Sequence, residues 1–467
     1  MKILLLNPPS LTNFGSEVPE IVNEERGCNP PLGLLYVASY LLKHSDHKVK
    51  VIDSMVEKLD MDAIADRIKR LKPDVMGMTA MTFTIMDVLK IAAIAKKINK
   101  KTKVVLGGPH GHLYPEETLN LPNVDYLIMG EGERPFLELI DNLEDPSKVD
   151  GIAFKRGEEI IINPKLPLIQ HLDEIPFPAR HLTPYMKYSS LLGKHDVVTT
   201  MITSRGCPYK CLFCDRPHLG KQFRARSAEN VVEEFEQCVD MGIEEFLVYD
   251  DTFTVDRQRV VDICNLIQKK GLKISWDIRA RVNTVDKELL DLLKKAGCER
   301  IHYGVEAGNP EILKILRKGI TMDQARKVFK MTKKAGIQTL AYFMIGSPRE
   351  TRETIQQTID FAIELDPDFC HFTITTPFPG TELYFMGMKE GLIKGDVWRE
   401  FAKNPTQDFV PPLWEENLDR DELVELLKKA YKDFYTRPSY ILKRLIKVRS
   451  VGEFKRKARA GLKVFGL

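Results

Sequence analysis

The residues with the most specific chemical potential are three cysteines, Cys207, Cys211 and Cys214. They are spaced as C-x3-C-x2-C in a predicted loop that follows an apolar strand. Three thiolates suffice to hold three irons of a four-iron cluster, which leaves the fourth iron open to another ligand. A structural zinc ion normally takes four ligands, and His218 is the only nearby residue that would supply the fourth. We therefore interpret the triad as the ligand set of a [4Fe-4S] cluster, with structural zinc as the alternative.

The remaining five of the eight cysteines are scattered singly. Free cysteine behaves as a small buried hydrophobe, and disulfides are rare in a reducing compartment. We expect reduced, buried thiols and no disulfide framework at Cys28, Cys238, Cys264, Cys298 and Cys370.

The segment around the triad, SRGCPYKCLFC, resembles the cluster loop of the radical S-adenosylmethionine superfamily, with an aromatic residue before the last cysteine. The positions that this resemblance implies for cofactor contact are Phe213, Asp250, Asp251, Arg279, Arg281, Glu306, Ile345 and Gly346. By resemblance, the two aspartates hold the methionyl amine and the two arginines the carboxylate. Glu306 would accept from the ribose hydroxyls or the amine, and the backbone near Ile345 would contact adenine. For each of these groups, a satisfied role within a loop network is the alternative.

Residues 1–145 alternate apolar strands with amphipathic helices, the pattern of a doubly wound, Rossmann-like parallel sheet. The predicted strands are KILLLNP, KVKVID, DVMGMTA, KVVLGGP and DYLIMGEG. Ligands bind along the carboxyl edge of such sheets, where glycines allow close backbone approach. The candidate binding residues at this edge are Asn7, Pro8, Thr79, Ala80, Met81, Thr82, Gly107, Gly108, Pro109, His110, Gly130, Glu131, Gly132 and Glu133.

The motifs LNPP, PPLGLLYVASYL, GGPHGHLYPEE and GEGE resemble the cobalamin-binding domain fused ahead of many radical S-adenosylmethionine enzymes. The resemblance implies cobalamin at this edge. The D-x-H-x-x-G motif that supplies a histidine to cobalt is absent, which implies base-off binding with no protein ligand or an unusual one. His110 and His112 lie in a suitable predicted loop, where hydrogen bonding is the more ordinary role. A nucleotide-binding or purely structural domain is the alternative.

A second alternation follows, with six predicted strand–helix units that indicate a partial (β/α)6 barrel. The predicted domains are a cobalamin-binding domain at 1–145, a linker with a hairpin at 146–190, a radical S-adenosylmethionine core at 191–410 and a helical, basic C-terminal extension at 411–467.

Charge is concentrated at the C-terminal end. The net charge is +3, but residues 437–463 carry ten basic residues against one acid. Because the rest of the chain is acidic, we expect no nucleic-acid partner. The basic segment predicts either a solvated capping helix or a peripheral contact with anionic lipid. The short apolar start and the absence of a long apolar run predict a cytoplasmic protein.

Together these features predict a cobalamin-dependent radical S-adenosylmethionine methyltransferase. By resemblance, it would act through a 5′-deoxyadenosyl radical on an unactivated carbon of a hydrophobic or lipid-like small molecule, with a flavodoxin or ferredoxin as external electron donor. The alternative within the family is a cyclase that forms carbon–carbon bonds or remodels rings without methyl transfer. A second alternative is an iron–sulfur electron carrier or cobalamin store, which would not need polar groups at successive strand ends.

Overall fold

The computed structural model describes residues 1–11, 27–190, 192–215 and 221–446, and these form two largely parallel sheets joined by an extended segment. The first sheet begins with five parallel strands, β1 Lys2–Asn7, β2 Lys48–Asp53, β3 Val75–Thr79, β4 Lys103–Gly107 and β5 Tyr126–Ile128. Their apolar runs are buried on both faces, as expected of a sheet covered by helices on each side. The doubly wound fold is confirmed.

The order of these strands is β2-β1-β3-β4-β5. The chain direction across the sheet reverses between β1 and β3, which is where open α/β sheets form a ligand crevice. The loops after these two strands begin at Asn7 and Thr79.

A hairpin completes the first sheet. Strands β6 Ile152–Arg156 and β7 Glu159–Ile162 add antiparallel to β5 as its last two strands. The sequence places this hairpin in a linker, but Ile152 is fully buried and Phe154 lies opposite Tyr126. These side chains belong to the core of the first sheet, so the connecting segment begins only after the hairpin.

Within the described residues of this part, six helices accompany the first sheet, namely α1 Leu32–His44, α2 Met61–Leu71, α3 Ile85–Ile98, α4 Pro109–Leu113, α5 Pro115–Asn120 and α6 Glu133–Asp141. Helix α2 begins at Met61, because the Asp60 carboxylate accepts from the backbone N–H of Ala63 and fixes the first turn.

The second sheet contains six parallel strands in chain order, which form an open half-barrel. They are β8 Val198–Met201, β11 Glu245–Val248, β12 Ser275–Ala280, β13 Cys298–Glu306, β14 Gln338–Ile345 and β15 Phe369–Ile374. A small antiparallel ribbon, β9 Ser204–Arg205 with β10 Arg224–Ala225, lies after β8. The partial barrel predicted from the sequence is confirmed.

The helices of this part are α7 Ala228–Asp240, α8 Arg257–Lys270, α9 Lys287–Lys295, α10 Pro310–Ile315, α11 Met322–Lys334, α12 Arg352–Leu365, α13 Glu382–Lys389, α14 Val397–Lys403, α15 Arg420–Tyr435 and α16 Pro438–Ile446. Side-chain caps such as Ser227 and Thr321 begin several of them. Across the described ranges, no helix has the length and apolar character needed to cross a membrane.

Helix α15 covers the open edge of the half-barrel. The Tyr431 hydroxyl donates to the carbonyl of Phe372 at 3.0 Å, and the Tyr435 hydroxyl donates to the carbonyl of Cys370 at 2.6 Å. Each hydroxyl also accepts from the N–H of the same residue. Edge strands expose unpaired backbone groups, and these two tyrosines satisfy them on β15.

Candidate functional site

The three cysteines lie on a loop closed at its base by the β9–β10 ribbon. The thiol of Cys207 lies 3.9 Å from the Thr252 hydroxyl, the thiol of Cys211 lies 3.7 Å from Nη1 of Arg281, and Cys214 is exposed. Within the described chain, no three His, Cys, Asp or Glu side chains converge as ligands of a single ion. A four-iron cluster takes each thiolate on a different iron, and three reduced thiols on one loop suit this ligand set, whereas structural zinc normally takes four ligands. His218, the fourth zinc ligand considered above, lies outside the described residues.

Arg281 holds the cluster loop against the barrel. Its guanidinium stacks on the Tyr209 ring at 3.8 Å from the centroid and donates to the carbonyl of Lys318. The sequence predicts that this arginine binds the methionyl carboxylate. Since its donors already contact Lys318, Cys211 and Asn283, the structure places it as a support for the loop.

Glu306 forms a buried ion pair at the end of β13. Its Oε1 accepts from Nζ of Lys318 at 2.7 Å, and both residues are 7% exposed. Glu306 has a φ of 73°, which turns the chain sharply after the strand. The ring of Phe213 lies 6.0 Å from the same ammonium group. The carboxylate is thus next to the cluster loop, with a lysine partner that sequence reasoning missed.

Asp250 has a different environment from the one predicted. Its two oxygens accept from the backbone and hydroxyl of Thr203 and Ser204 at 2.6 to 3.1 Å, and Arg259 lies 3.5 Å away. The side chain is fully buried. A carboxylate with four donors and an arginine has little capacity left for a methionyl amine, so it fixes the turn before the cysteines. Asp251 is exposed and adjoins Thr252, the neighbour of Cys207.

Arg279 is the arginine best placed for an anionic ligand. Its guanidinium stacks on Tyr249 at 4.1 Å, and no described carboxylate lies within ion-pair distance of it. Deeper in the half-barrel, His302 contacts Asp277 at 3.1 Å and the Tyr342 hydroxyl at 2.9 Å. Burial lowers the pKa of His302, against the opposing effect of Asp277. Sequence reasoning did not identify this polar interior, although polar residues at alternate positions of β12 to β14 are its signal.

The predicted adenine segment lies at the end of β14. Ile345 is fully buried, and Gly346 has a φ of 72°, with a side-chain carbon of Leu423 in α15 lying 2.7 Å from where a Cβ on Gly346 would be. Four residues on, burial raises the pKa of Glu350 to about 7 while its Oε2 accepts from the N–H of Ser347. This compact turn fixes the backbone that the sequence assigns to adenine.

The carboxyl edge of the first sheet has a backbone cradle that includes Gly108 and Gly130. Gly108 has a φ of 95°, and a Cβ there would lie 2.8 Å from the carbonyl oxygen of Ala80. Gly130 has a φ of 99° with open space where its Cβ would be. Asn7 donates to Asp53 at 2.8 Å, Pro8 is buried, and Met81 is exposed. Glycines thus lie at the crevice, where they allow the backbone to approach a ligand closely.

His110 lies inside this edge rather than at its surface. The ring is fully buried, with Nδ1 at 3.1 Å from the Thr82 hydroxyl, and burial lowers its pKa to about 4. A neutral, buried imidazole does not reach a ligand over the edge without movement. His112 instead contributes to a cavity of about 500 Å³ next to Gly130. Of the remaining predicted positions, Gly107 ends β4, Pro109 begins α4 and Gly132 immediately precedes α6, and all three are half-buried.

Glu131 and Glu133, which the sequence places among the cobalamin contacts, pair instead with arginine side chains. Glu131 accepts from Arg205 at 2.7 Å and from Arg224 at 2.9 Å, and Glu133 accepts from Arg205 at 2.5 Å. Both carboxylates are almost fully buried. The arginines come from the ribbon of the cluster loop, more than 70 residues away, so the motif GEGE alone did not reveal them.

These contacts bring the carboxyl edges of the two sheets together. The loop after β3 meets the loop after β15 through Phe83 and Phe378, whose rings lie 5.8 Å apart, and Asn29 donates to the Tyr249 hydroxyl at 3.0 Å. The two candidate cofactor regions therefore face each other across one junction.

Two family models match parts of this chain. Residues 21–140 match the model of the B12 binding domain, and residues 201–362 match that of the radical SAM superfamily. An uncharacterized methyltransferase of Pyrococcus horikoshii is 39% identical over 95% of this chain and 94% of its own length. The anaerobic magnesium-protoporphyrin IX monomethyl ester cyclase of Rubrivivax gelatinosus is 30% identical over 94% of this chain and 78% of its own.

A solved structure shares the fold. The cobalamin-dependent S-adenosylmethionine radical enzyme OxsB, with aqua-cobalamin and S-adenosylmethionine bound, has a TM-score of 0.75 at 19% identity over 99% of this chain and 72% of its own. The resemblance drawn from the cysteine loop and the N-terminal motifs is thus confirmed, and the chain belongs to the radical S-adenosylmethionine enzymes that carry a cobalamin-binding domain.

Proposed function

We propose that this enzyme transfers a methyl group from S-adenosylmethionine, by way of cobalamin, to an unactivated carbon of a small molecule. The observation that carries the proposal is the contact between the two carboxyl edges through Phe83 and Phe378 and through Asn29 and Tyr249. A methyl carrier and a radical generator must both reach one substrate carbon, and facing edges allow this. Methyltransferase relatives that match along the whole chain support the same reaction class.

Named residues would hold each group. Cys207, Cys211 and Cys214 would ligate the cluster, and Arg279 would pair with the carboxylate of S-adenosylmethionine or of substrate. The Glu306–Lys318 pair would border the methionyl end, and the glycine cradle around Gly108 would receive the corrin. When bound, the cluster supplies one electron and cobalamin carries the methyl group. The chain itself orients these groups and excludes water.

The surroundings of the junction fit a substrate with an apolar body and a polar end. Met81 is 47% exposed and Phe378 41% exposed beside the gap, while Arg279, Tyr249 and His302 lie in the interior of the half-barrel. An apolar rim above a polar, cationic floor favours a lipid-like or tetrapyrrole-like molecule that carries a carboxylate or another acceptor.

The direct test is transfer of isotopic label. Enzyme reconstituted anaerobically with iron, sulfide and cobalamin is incubated with S-adenosylmethionine bearing a trideuterated methyl group and with candidate tetrapyrroles and lipids. We expect one labelled methyl group in a product detected by mass spectrometry, and none when cobalamin is omitted. Product formation without label would contradict methyl transfer.

A product without label is the result expected of a cyclase, which is the second candidate function. The cyclase of Rubrivivax gelatinosus matches most of this chain, and a ring-forming reaction would use the same two edges without consuming the methyl group. An unlabelled product whose mass differs from the substrate only in hydrogen or oxygen content would favour this second candidate.

An external donor would deliver the electron to the exposed side of the cluster loop. Cys214 is the exposed member of the triad, and an electron carrier such as a flavodoxin or ferredoxin would approach there. A cytoplasmic setting, which such carriers share, remains a prediction.

The C-terminal basic segment would hold the enzyme on an anionic membrane surface. Two basic residues at the start of this segment pair with a carboxylate of the chain itself. Lys443 donates to Asp366 at 2.6 Å, and Arg437 lies 3.6 Å from the same carboxylate. Residues 447–467, which hold most of the predicted basic tail, lie outside the described residues.

We expect the full chain to sediment with anionic vesicles at low salt and to be released at 1 M salt, where the Debye length is about 3 Å. A chain ending at Ile446 keeps α16 and should lose binding while retaining S-adenosylmethionine cleavage. Equal, negligible binding of the full chain to anionic and neutral vesicles would reduce the segment to a capping element.

A further inference from the structure

The loop that carries the three cysteines is tied at both of its ends to one carboxylate of the cobalamin-binding domain. Strand β9 ends at Arg205, two residues before Cys207, and β10 begins at Arg224 after the loop. The two arginines lie opposite each other in the ribbon. Nη1 of Arg205 lies 2.7 Å from Oε1 of Glu131, and Nη1 of Arg224 lies 2.9 Å from both oxygens of Glu131.

Both oxygens of the Glu131 carboxylate are fully occupied as hydrogen-bond acceptors. Its Oε2 also accepts from the backbone N–H of Ile169, at 2.7 Å, and the carbonyl of Ile169 accepts from Arg224 at 2.6 Å. Glu133 takes the second donor of Arg205, and the ring of Tyr36 lies 5.5 Å from that guanidinium. The connecting segment, the first sheet and the cluster loop therefore meet at Glu131.

The charged side chains of Glu131, Arg205 and Arg224 are largely buried, and burial restricts them to an arrangement in which the charges are paired. The side chains of Glu131, Arg205 and Arg224 are 5%, 12% and 2% exposed. Burial alone would raise the pKa of Glu131, but Arg205 outweighs it and holds the pKa below its ordinary value. A buried ion pair adds little net stability compared with apolar packing, but breaking it leaves an uncompensated charge. Such a pair therefore sets register between the parts that it joins.

We propose that Glu131 is a positioning residue that fixes the cluster loop relative to the cobalamin-binding domain, and hence the distance between cluster and cobalt. The proposal rests on the proposed function for the need to align the two groups, but not for the contact itself. A loop anchored at both ends by one carboxylate cannot shift along the edge of the first sheet without breaking the pair at Arg205 or at Arg224.

Hydrogen exchange on the protein without cofactors tests the anchoring. In Glu131→Gln, we expect backbone amides in 205–215 and 221–225 to exchange at least about tenfold faster, since tenfold corresponds to only about 1.4 kcal/mol, less than the cost of breaking a buried pair. Strands β11 to β14 should be unchanged. The matched control is Glu138→Gln on helix α6, which begins two residues after Glu131; its partner Arg134 is 60% exposed, and the change should leave the loop protected.

Pulsed electron paramagnetic resonance on the loaded protein tests positioning itself. We expect the distance distribution between the reduced cluster and cob(II)alamin to broaden in Glu131→Gln and to remain narrow in Glu138→Gln. Unchanged loop exchange, or an unchanged distance distribution, would overturn the proposal. If Glu131→Gln unfolds throughout, Arg224→Lys is measured in the same way, and global unfolding of both would make Glu131 a stability residue instead. Absence of methyl transfer in the wild type, together with faster loop exchange in Glu131→Gln, would count only against the proposed function.

Discussion

Replacing Cys207, Cys211 and Cys214 together by alanine abolishes cluster binding and cleavage of S-adenosylmethionine. Each thiolate holds one iron, and alanine supplies no donor. The other cysteines lie on other elements of the fold, and burial raises the pKa of Cys238 to about 11 and of Cys264 to about 12. Burial, with Asp53 adding to it, likewise raises the pKa of Cys28 to about 11. Thiols that stay protonated at neutral pH are poor iron ligands.

The measurements are iron and sulfide content after anaerobic reconstitution and 5′-deoxyadenosine formed under reducing conditions. Cys28→Ala is the matched control, since this half-buried thiol lies on another element, and it should retain both. Cleavage of S-adenosylmethionine that persists in the triple variant would contradict the assignment of the triad as cluster ligands. Stoichiometric zinc in the wild type would favour the alternative of a structural zinc site.

The elements of this fold follow from the sequence because each strand is a compact apolar run bounded by turn residues. The predicted strand DVMGMTA, for example, becomes β3, with four of its five strand residues buried. The hairpin was harder to place, since a two-stranded pattern does not reveal that Phe154 will join the core beside Tyr126. Which strands pair across a long sequence separation is determined by tertiary packing and not by the local sequence.

In the site, too, features set by local sequence motifs could be predicted, whereas contacts between residues distant in sequence could not. The cysteine spacing predicts the loop, and the turn glycines predict the carboxyl edge. The partners of the strand-end charges are distant in sequence, so the carboxylates of Asp250 and Glu131 read as ligand groups until Thr203 and Arg224 are seen to occupy them. Lys318 follows no motif and is placed beside Glu306 only by the fold.

The second large effect is expected at the carboxyl edge of the first sheet, where Gly108→Ala lowers cobalamin uptake. With φ at 95° and ψ at 178°, Gly108 occupies a region that is essentially restricted to glycine, and a side chain there costs about 1–3 kcal/mol. The added Cβ would also meet the backbone of Ala80 at 2.8 Å. Both effects shift the loop after β4 against the loop after β3, which together border the crevice.

Cobalamin retained per chain after gel filtration is the measurement, and we expect a decrease of about tenfold or more, since 1.4 kcal/mol of loop distortion suffices for that factor. Gly157→Ala on the β6–β7 turn is the matched control, because its φ of 65° imposes strain while no atom lies within 4 Å of the added Cβ. Cleavage of S-adenosylmethionine should survive in both variants, since the cluster loop lies on the other sheet. Normal uptake by Gly108→Ala would move the corrin away from this edge and leave the 500 Å³ cavity beside Gly130 as the candidate for its binding.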